Sequence, residues 1–296
     1  MDKAIMLEEL ELHLDFFKKM YQAVRTVDPS KKKVMDYHDN CMKGTEATCY
    51  SYWNNNVICE NCISMRAYLN KDTVYKLEYV ADKLFMVTAM PIETADCIVV
   101  LELLKDVTNT MLIDTGDYNN IHDIKNYICN MNDKVVKDDL TNLYNRRFIA
   151  ERLPVDIIKS TISEKPISII MTDIDQLKMI NDIYGHIEGD LKVKEYGSIL
   201  SNSVRGDNDW VARYGGDEFL ICLNNTDNDT AYQIAERIRK DIENNISSIG
   251  DNDIKITGSF GICTVDREKI TAEEMIRIAD KKLYEAKSSG KNKVCR

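Results

Sequence analysis

Apolar positions change period along the chain. Leu7, Leu10, Leu14, Phe17, Tyr21 and Val24 recur at alternating steps of three and four, with charged residues between them, which predicts a helix over residues 7–24. Two arrangements suit that spacing: a helix packed on its own domain, and a dimer seam of the coiled-coil kind. From Lys33 to Thr108 the pattern is mixed. Residues 74–79 alternate like a half-buried strand, as do 84–88 and the strongly apolar 98–104, and three such segments with short turns predict an antiparallel sheet. Short helices are expected in residues 41–69 before them. A second three-and-four repeat, Ile121, Ile124, Ile128, Met131 and Val135, predicts a parallel linker helix between two domains, preceded by the turn signal Thr115-Gly116-Asp117. Ile124 and Ile128 are expected in a seam between two copies. Further on, residues 167–172 read as a buried strand, and residues 210–214 and 219–223 as the arms of a hairpin.

Length and charge narrow the picture. A chain of 296 residues suggests roughly two domains. At 44% hydrophobic and 30% charged it is ordinary globular protein, which excludes collagen-like, disordered and disulfide-scaffold classes. A net charge of −10 speaks against holding a nucleic-acid duplex or an anionic membrane by bulk charge. Any phosphate must be held locally, by a few lysines, backbone N–H groups or a metal. No stretch approaches the ~20 apolar residues of a membrane span, and the N-terminus, charged from Asp2, lacks a signal-peptide core. The expectation is a cytoplasmic chain with no nucleic-acid partner and no membrane insertion, its nine cysteines reduced. Only Gly44 and Gly116 of the twelve glycines precede residue 180, so the second half is where the backbone is shaped around something.

The candidate chemistry lies in that half. The strand at 167–172 runs into Asp173-Ile174-Asp175, and carboxylates at a strand end commonly present oxygen to a divalent cation. For Asp175, capping of the next helix is the simpler reading. The hairpin turns at Gly215-Gly216, followed by Asp217-Glu218; two adjacent acids there are costly unless they bind metal, accept a proton or reach solvent. Asp173 and Asp217 are placed to meet across neighbouring strands and hold Mg²⁺. In the stretch from Asn181 to Asp190 two glycines break a helix, and an Asn and an Asp held together can read a guanine edge. Lys287 and Lys291 surround a helix C-terminus, where they either complement the helix dipole or neutralise phosphates.

Gly215-Gly216-Asp217-Glu218-Phe219 spells the GGDEF signature, and the chain resembles the GGDEF diguanylate cyclases. Supporting motifs stand in order: 139–147, 173–182, Gly185-His186 with Gly189-Asp190, 259–262, and 280–292. The resemblance spans residues 137–296. It implies a mixed α/β (α+β) domain like the palm of nucleotide cyclases and polymerases, condensing two GTP into cyclic di-GMP and two pyrophosphates across a homodimer. By position, Asp173, the Ile174 carbonyl and Asp217 would hold Mg²⁺ or Mn²⁺. Glu218 would assist the metal or activate the 3′-hydroxyl. Asn181 and Asp190 would read guanine, and Lys178, Lys287 and Lys291 would bind phosphates, Lys178 at the reacting centre beside Glu218. Leu177 stands where the family usually has Phe, and Lys291 where Arg is more usual. The family's product-inhibition site pairs an Arg with the Asp at position 209; the partner position is Gly206, and Arg205 falls one residue early, so inhibition there is expected to be weak or absent. A catalytically silent nucleotide-binding domain is the alternative reading, and the presence of Asp173, Asp217 and Glu218 favours the enzyme.

The first half resembles a PAS sensor domain, on its three strands, the short helices before them and the closing run Leu104-Lys105-Asp106-Val107-Thr108. The expected division is a helix over 1–30, a PAS-like sensor over 31–115, a linker helix over 116–136 and the GGDEF domain over 137–296. Cys59-Glu60-Asn61-Cys62, with Cys41, Cys49 and His38 upstream, leaves two readings open: reduced cysteines in a small core, or a site for an unidentified ligand, metal or cluster.

Overall fold

The computed structural model describes residues 14, 16–38, 41–53, 57–94, 97–108, 110, 121–206, 208–249 and 252–296. The chain divides into two compact units, residues 1–135 and 136–296.

The first unit is built on an antiparallel sheet of six strands: β1 (Ala23–Asp28), β2 (Lys33–His38), β3 (Cys41–Thr48), β4 (Val74–Val80), β5 (Lys83–Glu93) and β6 (Ile98–Asp106), in the order β3-β2-β1-β6-β5-β4. A 3₁₀ turn (Cys49–Trp53) and helix α1 (Ile63–Asn70) fall between β3 and β4, and helix α2 (Ile121–Val136) follows β6. Val27, Val87, Ala89, Val100 and Leu104 are buried together with Ile63 and Ala67 of α1.

Two expectations differ from the structure. The helix read over residues 7–24, and over 1–30 in the domain division, does not run that far: residues 16–20 are helical, and a strand begins at Ala23. Val24, Thr26 and Val27 are β-branched and favour the pleat, and Asp28 closes the strand by accepting the N–H and hydroxyl of Ser30 at 3.0 and 2.6 Å, an Asx turn around Pro29. Leu7 and Leu10 lie outside the described residues. Leu14, Phe17, Tyr21 and Val24 pack on Ile92, Val99, Leu101 and Leu103, so this stripe faces its own sheet. The short helices expected in residues 41–69 are Cys49–Trp53 and Ile63–Asn70, and residues 41–48 before them form strand β3. Ile128, expected in a seam between two copies, is instead 4% exposed and packs with Leu84 and Val107, while Met131 of the same stripe is exposed; Asn132 donates to the Leu77 carbonyl at 3.2 Å and accepts from Asn61 at 3.1 Å. The Ile124 side chain and the turn 115–117 lie outside the described residues.

The second unit carries β7 (Ile167–Ile174), β8 (Trp210–Gly215), β9 (Glu218–Asn224), β12 (Gly258–Val265) and β13 (Val294–Cys295) in the order β13-β12-β7-β9-β8, antiparallel except for β12 with β13. β10 (Ile246–Ile249) and β11 (Asn252–Lys255) form a separate hairpin. The helices are α3 (Arg146–Ser163), α4 (Leu177–Tyr184), α5 (His186–Asn202), α6 (Asn228–Asn244) and α7 (Ala272–Ser288). Central β7 is buried along its whole length, as its unbroken apolar run requires of a strand covered on both faces. Asn145, Asp227 and Thr271 start α3, α6 and α7 by accepting from the N–H three residues on. Helix α7 lies directly on β12: a Cβ at Gly261 would fall 2.1 Å from the Leu283 nitrogen and 2.2 Å from the Ala279 carbonyl oxygen. That close approach needs glycine, and it brings the end of α7 to the end of β7.

Candidate active site

Three segments converge where β7 ends. Asp173, the penultimate residue of β7, is in register with Glu218 of β9 on one side and Ser259 of β12 on the other. The β8–β9 turn passes through Gly216 at φ 54°, a left-handed conformation that favours glycine. The Asp217 carbonyl accepts from the Ile174 N–H at 3.3 Å, so the signature turn is fastened to the strand bearing Asp173. Arg213 holds the turn from the other side, donating to the Gly216 carbonyl from Nε at 2.9 Å and Nη2 at 2.7 Å and to Asp138 Oδ1 from Nη1 at 3.0 Å. Sequence reasoning missed Arg213. Its only signal is its place on the strand two residues before the paired glycines.

Charge accumulates at this corner. Asp173 is 4% exposed, and its Oδ2 lies 2.6 Å from Lys287 Nζ at the end of α7. Burial pushes the Asp173 carboxyl up, the Lys287 hydrogen bond pulls it down, and the charges of Asp217 and Glu218 add to the rise, leaving it at about 6. Glu218 is also raised, first by burial, with Asp280 and Asp217 adding to the rise and Lys287 and Arg146 opposing it. Among the described residues no three His, Cys, Asp or Glu side chains already converge on one point. The donor set nevertheless fits a hard divalent cation. Asp173 and Asp217 supply carboxylate oxygens beside the carbonyl of buried Ile174, and the mutual repulsion that lifts Asp173 is what a cation would relieve.

Asp175 does something other than capping. Gln176, in the left-handed region, precedes α4 with no side-chain cap. Asp175, 5% exposed, instead accepts from Thr257 Oγ1 at 2.8 Å, Ser259 Oγ at 2.7 Å and the Asn292 N–H at 3.0 Å. A buried carboxylate must find such donors, and here they pin the segment carrying Lys291. That segment turns through Lys291 and Asn292, both at positive φ, and Asn292 is held further by Arg239 at 3.0 Å and Glu243 at 3.1 Å.

Asn181 sits half-buried on α4 beside the start of α5. A Cβ at Gly189 would lie 1.7 Å from Asn181 Oδ1, so the structure brings Asn181 against the turn of helix that carries Asp190. Asp190 and Lys178 are exposed. Asp209 serves its own loop: its Oδ1 accepts from the Asn224 N–H at 2.9 Å and its N–H donates to the Arg205 carbonyl at 3.3 Å. Asp207 lies outside the described residues.

The family profile described as "Diguanylate cyclase, GGDEF domain" matches residues 135–293. The chain is 37% identical over 163 residues to a probable diguanylate cyclase, DgcT, of Escherichia coli, 53% of this chain and 35% of that protein. It is 40% identical over 131 residues to diguanylate cyclase A of Treponema denticola, 44% and 35% of the two chains. With the response regulator PleD of Caulobacter vibrioides the figures are 36% over 161 residues, 54% and 35%. The chain thus spans 35% of the length of each of these relatives. Among solved structures, the GGDEF domain of DgcB from Caulobacter crescentus, determined with c-di-GMP, matches at TM-score 0.52 and 26% identity over 54% of this chain and 94% of that one. The diguanylate cyclase SiaD of Pseudomonas aeruginosa matches at TM-score 0.53 and 29% identity over 58% and 66%.

Proposed function

The chain belongs to the GGDEF family, and from that premise we propose that residues 137–296 join two GTP molecules into cyclic di-GMP and release two pyrophosphates. The observation that carries the reading is the corner at Asp173, where three carboxylates and the Lys287 ammonium surround one strand end. Asp173, the Ile174 carbonyl and Asp217 would hold Mg²⁺ or Mn²⁺. Such a cation supplies charge neutralisation at a phosphate and lowers the pKa of a bound hydroxyl. Glu218, its carboxyl raised by burial, accepts the proton of the attacking 3′-hydroxyl. Lys287 leaves Asp173 for a phosphate oxygen, and Lys178 and Lys291 take others. Asn181 and Asp190 orient guanine through its exocyclic amine and N1–H. Each chain offers one half-site, in its second unit, so the reaction requires a homodimer that sets two half-sites face to face. In this reading the first unit is a PAS-like sensor that controls the second; its antiparallel sheet, with helices between the third and fourth strands, supports a ligand-responsive module. No helix among the described residues is long and apolar enough to cross a membrane, and a cytoplasmic place is consistent with nucleotide supply.

The test is chromatographic analysis of products from GTP and Mg²⁺. Wild type is expected to form cyclic di-GMP, and Asp217→Ala and Glu218→Ala to form none while keeping the wild-type thermal transition. Undiminished turnover in either variant refutes the assignment.

A further inference from the structure

Three cysteines of the first unit meet around a buried ammonium. Lys32 is 5% exposed, and its Nζ donates to Cys62 Sγ at 3.2 Å, its one hydrogen bond among the described residues. The Lys32 carbonyl accepts from the Cys49 N–H at 3.0 Å. Cys49, Cys59 and Cys62 line a single cavity of about 30 Å³ with Ser64, Lys76 and Glu102. The nearby carboxylate of Glu102 is already taken by Arg25 at 2.6 Å and by the Ser64 hydroxyl. Burying an ammonium is costly without a partner, and the Cys62 sulfur is the acceptor that Lys32 Nζ reaches among the described residues. Cys62 also occupies the N-cap position of α1 without making a side-chain cap, so its sulfur stands at the positive end of a helix. The other two sulfurs are held as thiols. Burial and then the Cys62 charge push Cys59 up to about 11, and burial, Glu102 and Cys62 push Cys49 up to about 12.

We propose that Cys62 is a peroxide-reactive thiolate paired with Lys32, and that Cys59 resolves its oxidised form into a Cys59–Cys62 disulfide. The Cys62 sulfur attacks one oxygen of hydrogen peroxide; the S–O bond forms, the O–O bond breaks, and the departing hydroxide takes a proton from solvent to leave as water. The sulfenic acid so formed is uncharged, which removes the second of the two influences, after burial, that raise the Cys59 thiol. The Cys59 sulfur then attacks Cys62; the S–S bond forms, the S–O bond breaks, and the hydroxyl leaves as water with the Cys59 proton. Two thiols are oxidised and one hydrogen peroxide is reduced to two waters. A cavity of about 30 Å³ admits an oxidant of one or two water volumes and excludes bulky disulfides. A metal is the less fitting occupant, because the ammonium stands among the thiols and the three sulfurs do not form a ligand set among the described residues.

The test titrates the reduced full-length chain with hydrogen peroxide, alkylates remaining thiols and reads peptide masses; no step passes through nucleotide turnover. The Cys59–Cys62 peptide is expected to lose two hydrogens, reversibly with dithiothreitol, before the exposed Cys97 and Cys129 change. Cys59→Ser should stop at a Cys62 sulfenic acid trapped by dimedone. Lys32→Gln should slow Cys62 oxidation by about tenfold or more, and Lys32→Arg should restore most of the rate. Oxidation of Cys97 and Cys129 as fast as Cys62, or an unchanged Cys62 rate in Lys32→Gln, overturns the proposal. So does stoichiometric metal on the purified protein that protects these thiols.

Discussion

Gly189→Ala separates stability from function at the candidate guanine site. The added Cβ would lie 1.7 Å from Asn181 Oδ1 and 2.8 Å from its Cγ. Both atoms belong to a half-buried side chain, so the clash is relieved by turning Asn181 about χ1, which moves Cγ and the whole amide and lets the backbone of α4 and α5 stay in place. Ala in place of Gly inside a helix contributes about 0.5–1 kcal/mol of stability. The variant should therefore unfold at or slightly above the wild-type temperature. The guanine contact is what is lost: one hydrogen-bonding side chain turned away from a buried ligand edge costs about 1–3 kcal/mol, which is roughly 5- to 150-fold in kcat/KM. Pyrophosphate release from GTP gives the rate, and calorimetry gives the transition. Asn181→Ala should lose about as much, and the double variant little more, because both changes remove one interaction. Gly206→Ala is the control, since a Cβ there meets nothing within 4 Å. A Gly189→Ala rate within about twofold of wild type, or an additive double variant, would refute the reasoning.

Two further outcomes are expected. Asp190 should reject adenine, whose edge offers no N1–H, so wild type given GTP and ATP should form almost no hybrid dinucleotide and Asp190→Ala should weaken the preference by at least about tenfold; abundant hybrid from wild type counts against this role. Ile128→Ala should destabilise the first unit by about 2–5 kcal/mol through the cavity left beside Leu84 and Val107. It should leave the concentration dependence of specific activity as it was; an unshifted unfolding transition with activity newly dependent on dilution would return Ile128 to a dimer seam.

Legibility differs between the two halves for a physical reason. The second unit announces itself because its chemistry sits on strand ends and tight turns, where only certain residues fit, so Asp173, Gly216 and Glu218 are conspicuous in a short stretch of sequence. The first unit was legible in β4, β5 and β6, whose alternation is local. Its helical stripes were ambiguous because a step of three and four says that one face is apolar and not what covers it. Leu14, Phe17 and Ile128 found their own sheet, and Val24, which also fits the stripe, obeyed its β-branched preference instead. Arg213 stayed hidden because one of its partners, Asp138, lies 75 residues away.

Asp173 and Asp175 show most directly what the fold adds to the letters. Two residues apart and chemically identical, one is the penultimate residue of β7 and the other stands just beyond its end, and both are almost fully buried. Asp175 accepts from two hydroxyls and a backbone N–H, all neutral donors. Those bonds fix the Lys291 segment against the sheet. Asp173 faces a lysine at the end of a long side chain and two carboxylates that repel it. Its partner is the end of a flexible side chain and can swing away, and a cation would offset the repulsion. Of the two acids, Asp173 is therefore the one that fits the proposed metal site, and the pairing of β7 with β9 and β12 is what sets it beside Glu218.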